Sequence, residues 1–209
     1  MRKILFSRES EIIQPLRKLV CEQKHITLVM WALDSSKNLL DIFERYFPSD
    51  RRPRIALEKA KEWALGEIKM PEAKRAILDA HNAATEVNDN PVAQAAARAI
   101  GHAAATVHVE THALGLVFYG LTSYYYLEGT DRVLQEVDYF YQQLIYWQNN
   151  IHNIRLNWAS FLTKEKPNQE KLLNTFKKKE YNCLKQYYTL FSPIVCIGIL
   201  LYKFYNRHW

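Results

Sequence analysis

Residues 91–127 read PVAQAAARAIGHAAATVHVETHALGLVFYGLTSYYYL, and eight of the first fifteen are alanine. Alanine loses no side-chain entropy in a helix, and small side chains on several faces let neighbouring helices come close. A helix that is small and apolar on several faces belongs at the centre of a bundle. Pro91 has the φ of a first helical residue already set, and Asn90 before it is a suitable cap. Gly101, Gly115 and Gly120 punctuate the stretch. Two arrangements stay open: one curved helix, or two joined near Thr106–His108.

Working outward, the flanking segments carry apolar residues at three-four spacing, and alternation of the strand kind is hard to find. Upstream, the spacing predicts a helix over Glu9–Gln23, with Ile12, Leu16 and Leu19 on one face and Pro15 in the first turn. A second is predicted from about His25 to Phe47, stopped by Pro48. A third begins at Pro53 and stops at Gly66. A fourth runs from Met70-Pro71 to the turn NDNP at 88–91. Downstream, EGTD at 128–131 resets the chain. A sixth helix then shows a seam at Val133, Val137, Tyr141, Leu144, Gln148, Ile151, Arg155 and Trp158, broken by KEKPN at 164–168. The fold class is therefore all-α, a single helical bundle around the alanine-rich segment. Two parts are expected: a body of residues 1–163 and a basic, apolar extension of residues 164–209.

Composition narrows the function. With 48% hydrophobic and 24% charged residues, the chain has enough apolar content to fill a core. Of its 28 Lys and Arg and 22 Asp and Glu, nine basic and three acidic residues lie from Lys164 onward, leaving 19 of each in residues 1–163. The net charge of +6 thus belongs to the extension, and a neutral body lacks the electrostatic footprint of a nucleic-acid binder. Cys21, Cys183 and Cys196 are odd in number and far apart, which fits neither a disulfide framework nor a thiolate zinc site. The start, MRKILFSRESE, holds only Ile4-Leu5-Phe6 between charges, too short for a secretory apolar region. The extension contains Ile194–Leu201, the most apolar run of the chain. It falls short of the roughly 20 residues of a membrane span and contains Gly198. The expectation is that the extension packs on the body, with attachment to a membrane surface through residues 168–207 as the alternative.

No catalytic motif stands out. His81, His102, His108 and His112 cluster in the middle of the chain. On one continuous helix His108 and His112 would share a face, but HVETH is not HExxH and no third ligand lies nearby in sequence, so no metal is expected. These histidines read more simply as hydrogen-bonded polar groups among small residues. Asp34 interrupts the apolar stretch WALDSSKNLL and needs a partner if buried, with Arg52, Arg54, Arg98 and His102 as the candidates. Tyr124–Tyr126 and the aromatics of 139–147 cannot all face inward, so part of them is expected to form an exposed patch of the kind that binds partners.

Several stretches taken together carry a resemblance: WALD at 31–34, RRPRIALE at 51–58, WALGEI at 63–68, Ala80-His81, and AARAIGHAAATVHVETHALG at 96–115. They resemble the immunity proteins of bacterial polymorphic-toxin loci, specifically the fifth-class-immunity-like family, over about residues 24–127 and at most to NIRLNW at 153–158. The family pattern is met at Asp34, Arg52, Arg54, Trp63, Gly66, His81, Arg98, Gly101, His102, His108 and His112. The resemblance implies an all-α, non-enzymatic protein without a cofactor, which acts in the cytoplasm by binding a cognate protein toxin. It leaves the toxin and the oligomeric state open. Two other readings compete on the residues themselves. One is a small helical enzyme or metal-binding protein built on Asp34, Arg98 and the histidines. The other is an accessory protein held at the inner face of the membrane by its extension.

Overall fold

The computed structural model describes residues 4–164, 168–173 and 175, and among them the chain is helical with no strand. A 3-10 turn (Glu11–Ile13) leads into α1 (Gln14–Glu22), followed by α2 (His25–Ser35), α3 (Lys37–Tyr46), α4 (Arg52–Ala64), α5 (Met70–Glu86) and α6 (Pro91–Ala105). Then come α7 (His112–Glu128), α8 (Thr130–Asn150), a second 3-10 turn (Ile151–Asn153) and α9 (Ser160–Thr163). The chain divides into two units, Met1–Glu170 and Lys171–Trp209. The expectations for 176–209, including the apolar run at 194–201, lie outside the described residues. No described helix is long and apolar enough to cross a membrane.

The alanine-rich segment is central, as its composition requires. Eleven of the 15 residues of α6 are buried, and α5, α7, α3 and α4 all pack against it. Asn90 caps the helix, its Oδ1 accepting from the Ala93 N–H at 3.0 Å. The core side chains around α6 are large where its own are small: Trp31, Phe43, Leu39, Leu114 and Leu121 are fully buried. The small residues of α6 leave room for these side chains without voids.

Residues 91–127 form two helices, not one. Thr106, Val107 and Val109 place β-branched side chains in a row where helix propensity is low. The Thr106 hydroxyl also donates to the His102 carbonyl at 3.0 Å, inside the last turn of α6. The linker is held from outside: His25 Nε2 lies 2.7 Å from the Thr106 carbonyl, and its Nδ1 lies 3.7 Å from the buried Glu110 carboxylate.

Two further boundaries differ from the periodicity. The helix expected over 25–47 is interrupted at Ser36, whose hydroxyl donates to the Leu33 carbonyl at 2.9 Å and separates α2 from α3. The last long helix ends at Asn150, before Arg155 and Trp158. Asn149, Asn150 and Asn153 crowd this point, and Asn side chains compete for backbone groups; Asn150 Nδ2 donates to the Tyr146 carbonyl at 2.8 Å. The chain then runs back to α4, where the Ala159 N–H donates to the Ala64 carbonyl at 2.8 Å.

Other signals hold as read. After α4 the N–H groups of Gly66 and Glu67 donate to the carbonyls of Trp63 and Glu62. This is a Schellman stop that needs the positive φ of 74° at Gly66. Gly129, with φ 83°, separates α7 from α8.

Candidate functional site

Side by side, α5, α6 and α7 present a polar strip across the bundle. On α7 the residues His112, Gly115 and Tyr119 fall on one face at helical spacing, and His102 of α6 is set into that face. Its Nδ1 lies 3.1 Å from His112 Nδ1, and its ring stacks on Tyr119 with centroids 5.2 Å apart and planes 15° apart. A Cβ on Gly115 would come within 2.5 Å of His102 Nδ1. The same device repeats one helix over. The His81 ring of α5 lies against Gly101 of α6, where a Cβ would come within 2.6 Å of its Cε1. His81 meets His102 edge-on, 5.4 Å between centroids. Each glycine thus makes the seat for an imidazole from the neighbouring helix.

The proton inventory follows from this geometry. A contact between two Nδ1 atoms is a hydrogen bond only if one ring donates and the other accepts, so at least one of His102 and His112 is neutral. Burial, and then the Arg98 guanidinium and His112, push His81 down to about 4. Burial, His81, His112 and Arg98 push His102 down to about 3. His112 is lowered in turn, mainly by burial, then by His108 and Arg8. His81 Nδ1 is buried without a hydrogen-bond partner. Arg98 itself donates to Thr85 Oγ1 at 2.9 Å.

The eight candidate residues do not form one cluster. His81, Arg98, His102 and His112 come together. His108 and His112 do not share a face, because the helix breaks between them; His108 is exposed, its ring 5.9 Å from that of Trp63. Asp34 finds none of the partners expected for it. Its Oδ1 accepts from Lys37 Nζ at 2.6 Å, and its Oδ2 from Trp147 Nε1 at 3.2 Å. Trp31, three residues earlier, donates from Nε1 to the Phe140 carbonyl at 2.9 Å. WALD is therefore a clasp between α2 and α8. Arg52 forks onto Asp50 and reaches Glu86, tying the start of α4 to the end of α5, and its guanidinium holds both carboxyls below their usual range. Arg54 pairs with Glu44 of α3. Both arginines of the RPR turn staple helices.

Some partners were not legible in the sequence. Thr85 and Tyr119 join the strip from positions that no motif marks, although Gly115 three residues after His112 is the trace of the seat where His102 stacks on Tyr119. Glu170 is fully buried between Arg8 and Arg17, at 3.0 and 3.2 Å, across a separation in sequence that no local pattern spans. Among the described residues no three His, Cys, Asp or Glu side chains are grouped so as to hold a metal ion. The aromatic residues divide as expected: Tyr124 is buried, whereas Tyr125 and Tyr146 are 43% and 52% exposed.

The helices that carry the strip fall within a stretch that matches a known family. Residues 18–146 match the model of the family described as Imm-5 like putative immunity protein, and the chain belongs to that family. The match takes in α2 to α7 whole and most of α8, and stops short of residues 153–158. No curated protein and no solved structure gives a significant match.

Proposed function

We propose that this protein protects the cell that makes it by binding and neutralising a cognate protein toxin. The single observation that carries the reading is the family match over residues 18–146. The physical features agree with a binding role. The imidazoles of the strip are held neutral by burial and by neighbouring cations, which suits a packed polar surface better than proton transfer at neutral pH. A cleft between α4 and α5 is lined by Ile55, Pro71 and Ala76 together with Lys59, Glu72, Arg75 and Asp79, a mixture without a catalytic pairing. On this reading the protein is not an enzyme, needs no cofactor and works in the cytoplasm, where an incoming or newly made toxin would be met. The basic excess beyond Lys164 would add contact with an anionic membrane surface. Co-expression tests the reading. Cells expressing a toxin gene found beside the gene for this chain should grow only when this chain is also made, and growth arrest in its presence would refute neutralisation.

A further inference from the structure

We propose that Arg98, with the imidazoles of His81 and His102 beside it, is a receptor for a carboxylate side chain of a protein partner. The inference rests on the immunity reading for the identity of that partner, and on geometry for the site. Six arginines in the described residues are half-buried: Arg8, Arg17, Arg52, Arg54, Arg98 and Arg132. Five of them are paired with carboxylates, namely Arg8 and Arg17 with Glu170, Arg52 with Asp50 and Glu86, Arg54 with Glu44, and Arg132 with Glu136. Arg98 makes one hydrogen bond, to the Thr85 hydroxyl, and among the described residues no ion pair joins it to a carboxylate. The bond from Arg98 to Thr85 lies at the surface, so the guanidinium is open to an anion arriving from solvent.

The surroundings sharpen the demand. From α5 the groups that face the strip are His81 and Thr85; from α6, Arg98 and His102; from α7, His112 and Tyr119. Arg8 and His108 add their influence at His112. Arg98 is the permanently charged group whose field reaches both His81 and His102. A carboxylate arriving from solvent would find a planar fork of donors, for which guanidinium is the matched partner.

Proton NMR of the histidine ring signals of the full chain tests the site directly. Sodium acetate is titrated at pH 6.5 with ionic strength held constant by sodium chloride. Saturable shifts of the His81 and His102 signals, absent in Arg98→Gln and reduced in Arg98→Lys, are expected. An equal response to chloride alone, or one that survives in a folded Arg98→Gln, overturns the inference. A stronger saturating response to inorganic phosphate than to acetate also overturns it, because the site would then suit a phosphoryl group. With purified toxin, Arg98→Gln should weaken the complex by at least about tenfold. A wild-type complex untouched by the substitution defeats the carboxylate receptor and leaves the immunity reading standing. Absence of any wild-type complex defeats that reading, and the acetate titration still decides the site.

Discussion

The imidazole of His102 stands where a side chain on Gly115 would have to be, with His102 Nδ1 only 2.5 Å from the position of such a Cβ. The ring cannot simply swing away, because Tyr119 stacks on one face and His112 holds its Nδ1. Gly→Ala in a helix interior gains about 0.5–1 kcal/mol of propensity, whereas overpacking a closed site loses about 1–3 kcal/mol. Overpacking wins here. Gly115→Ala and Gly101→Ala should each lower stability by about 1–2 kcal/mol in urea unfolding. Gly120→Ala is the control. Its Cβ would meet the mobile end of Leu39 at 3.1 Å and Phe140 at 3.3 Å, so the two effects should nearly cancel.

Acid should weaken the fold before the carboxylates titrate. His81 and His102 have folded values of about 4 and about 3, below the ordinary 6.5. The unfolded chain therefore takes up protons first as pH falls. The stabilisation is full above about pH 6.5 and is lost progressively as pH drops toward the folded values, with each group contributing a slope of at most about 1.4 kcal/mol per pH unit. Urea midpoints measured between pH 7.5 and 5 should fall steadily, and His102→Asn should flatten the dependence. A flat wild-type profile over that range would show that the imidazoles are not held neutral by the fold.

The tryptophan clasp should respond unevenly to its partners. Trp31→Phe removes the second hydrogen bond of the Phe140 carbonyl, which keeps its bond within α8, and also removes buried surface, for a loss of about 1–2 kcal/mol. Asp34→Asn keeps an acceptor for Trp147 and should be nearly neutral, whereas Asp34→Ala should cost about 1 kcal/mol. The Asp34–Lys37 pair is mostly solvated, with the lysine side chain 71% exposed, so Lys37→Ala should change stability by less than about 0.5 kcal/mol. Equal losses at Asp34→Asn and Asp34→Ala would mean that the negative charge, and not the hydrogen bond, matters.

These residues show where sequence reading reaches and where it stops. The alanine run placed α6 at the centre because composition alone limits what can pack around it. Pro91, Asn90 and Gly66 marked their boundaries because each acts within one turn of chain. Asp34 was legible as a polar residue among apolar ones, but its partner Trp147 lies 113 residues away, beyond any local period. The histidines were visible as a group. Their arrangement turned on the break at Thr106–Thr111, where β-branched residues and the Thr106 hydroxyl weaken the helix locally and His25, 81 residues away, holds the linker.

The boundary of the body can be moved experimentally. Glu170 is fully buried against two arginines, and Asn168 Nδ2 donates to the carbonyls of Val20 and Gln23 at 3.0 and 2.9 Å. Removing Glu170 breaks both of its ion pairs at a buried position, an effect of about 2–3 kcal/mol where the arginines keep some solvent. A fragment ending at 163 should therefore melt well below one ending at 175, and Glu170→Ala in the longer fragment should reproduce most of the difference. Equal melting of the two fragments would place the edge of the body at 163.

Whether this chain neutralises by direct contact is decided by calorimetry with a purified candidate toxin encoded beside it. A saturable complex of fixed stoichiometry, with dissociation constant in the nanomolar range typical of specific interfaces and loss of toxin activity at the same ratio, is the expected result. Toxin that stays fully active, with no heat of binding at micromolar concentrations of both proteins, would contradict it.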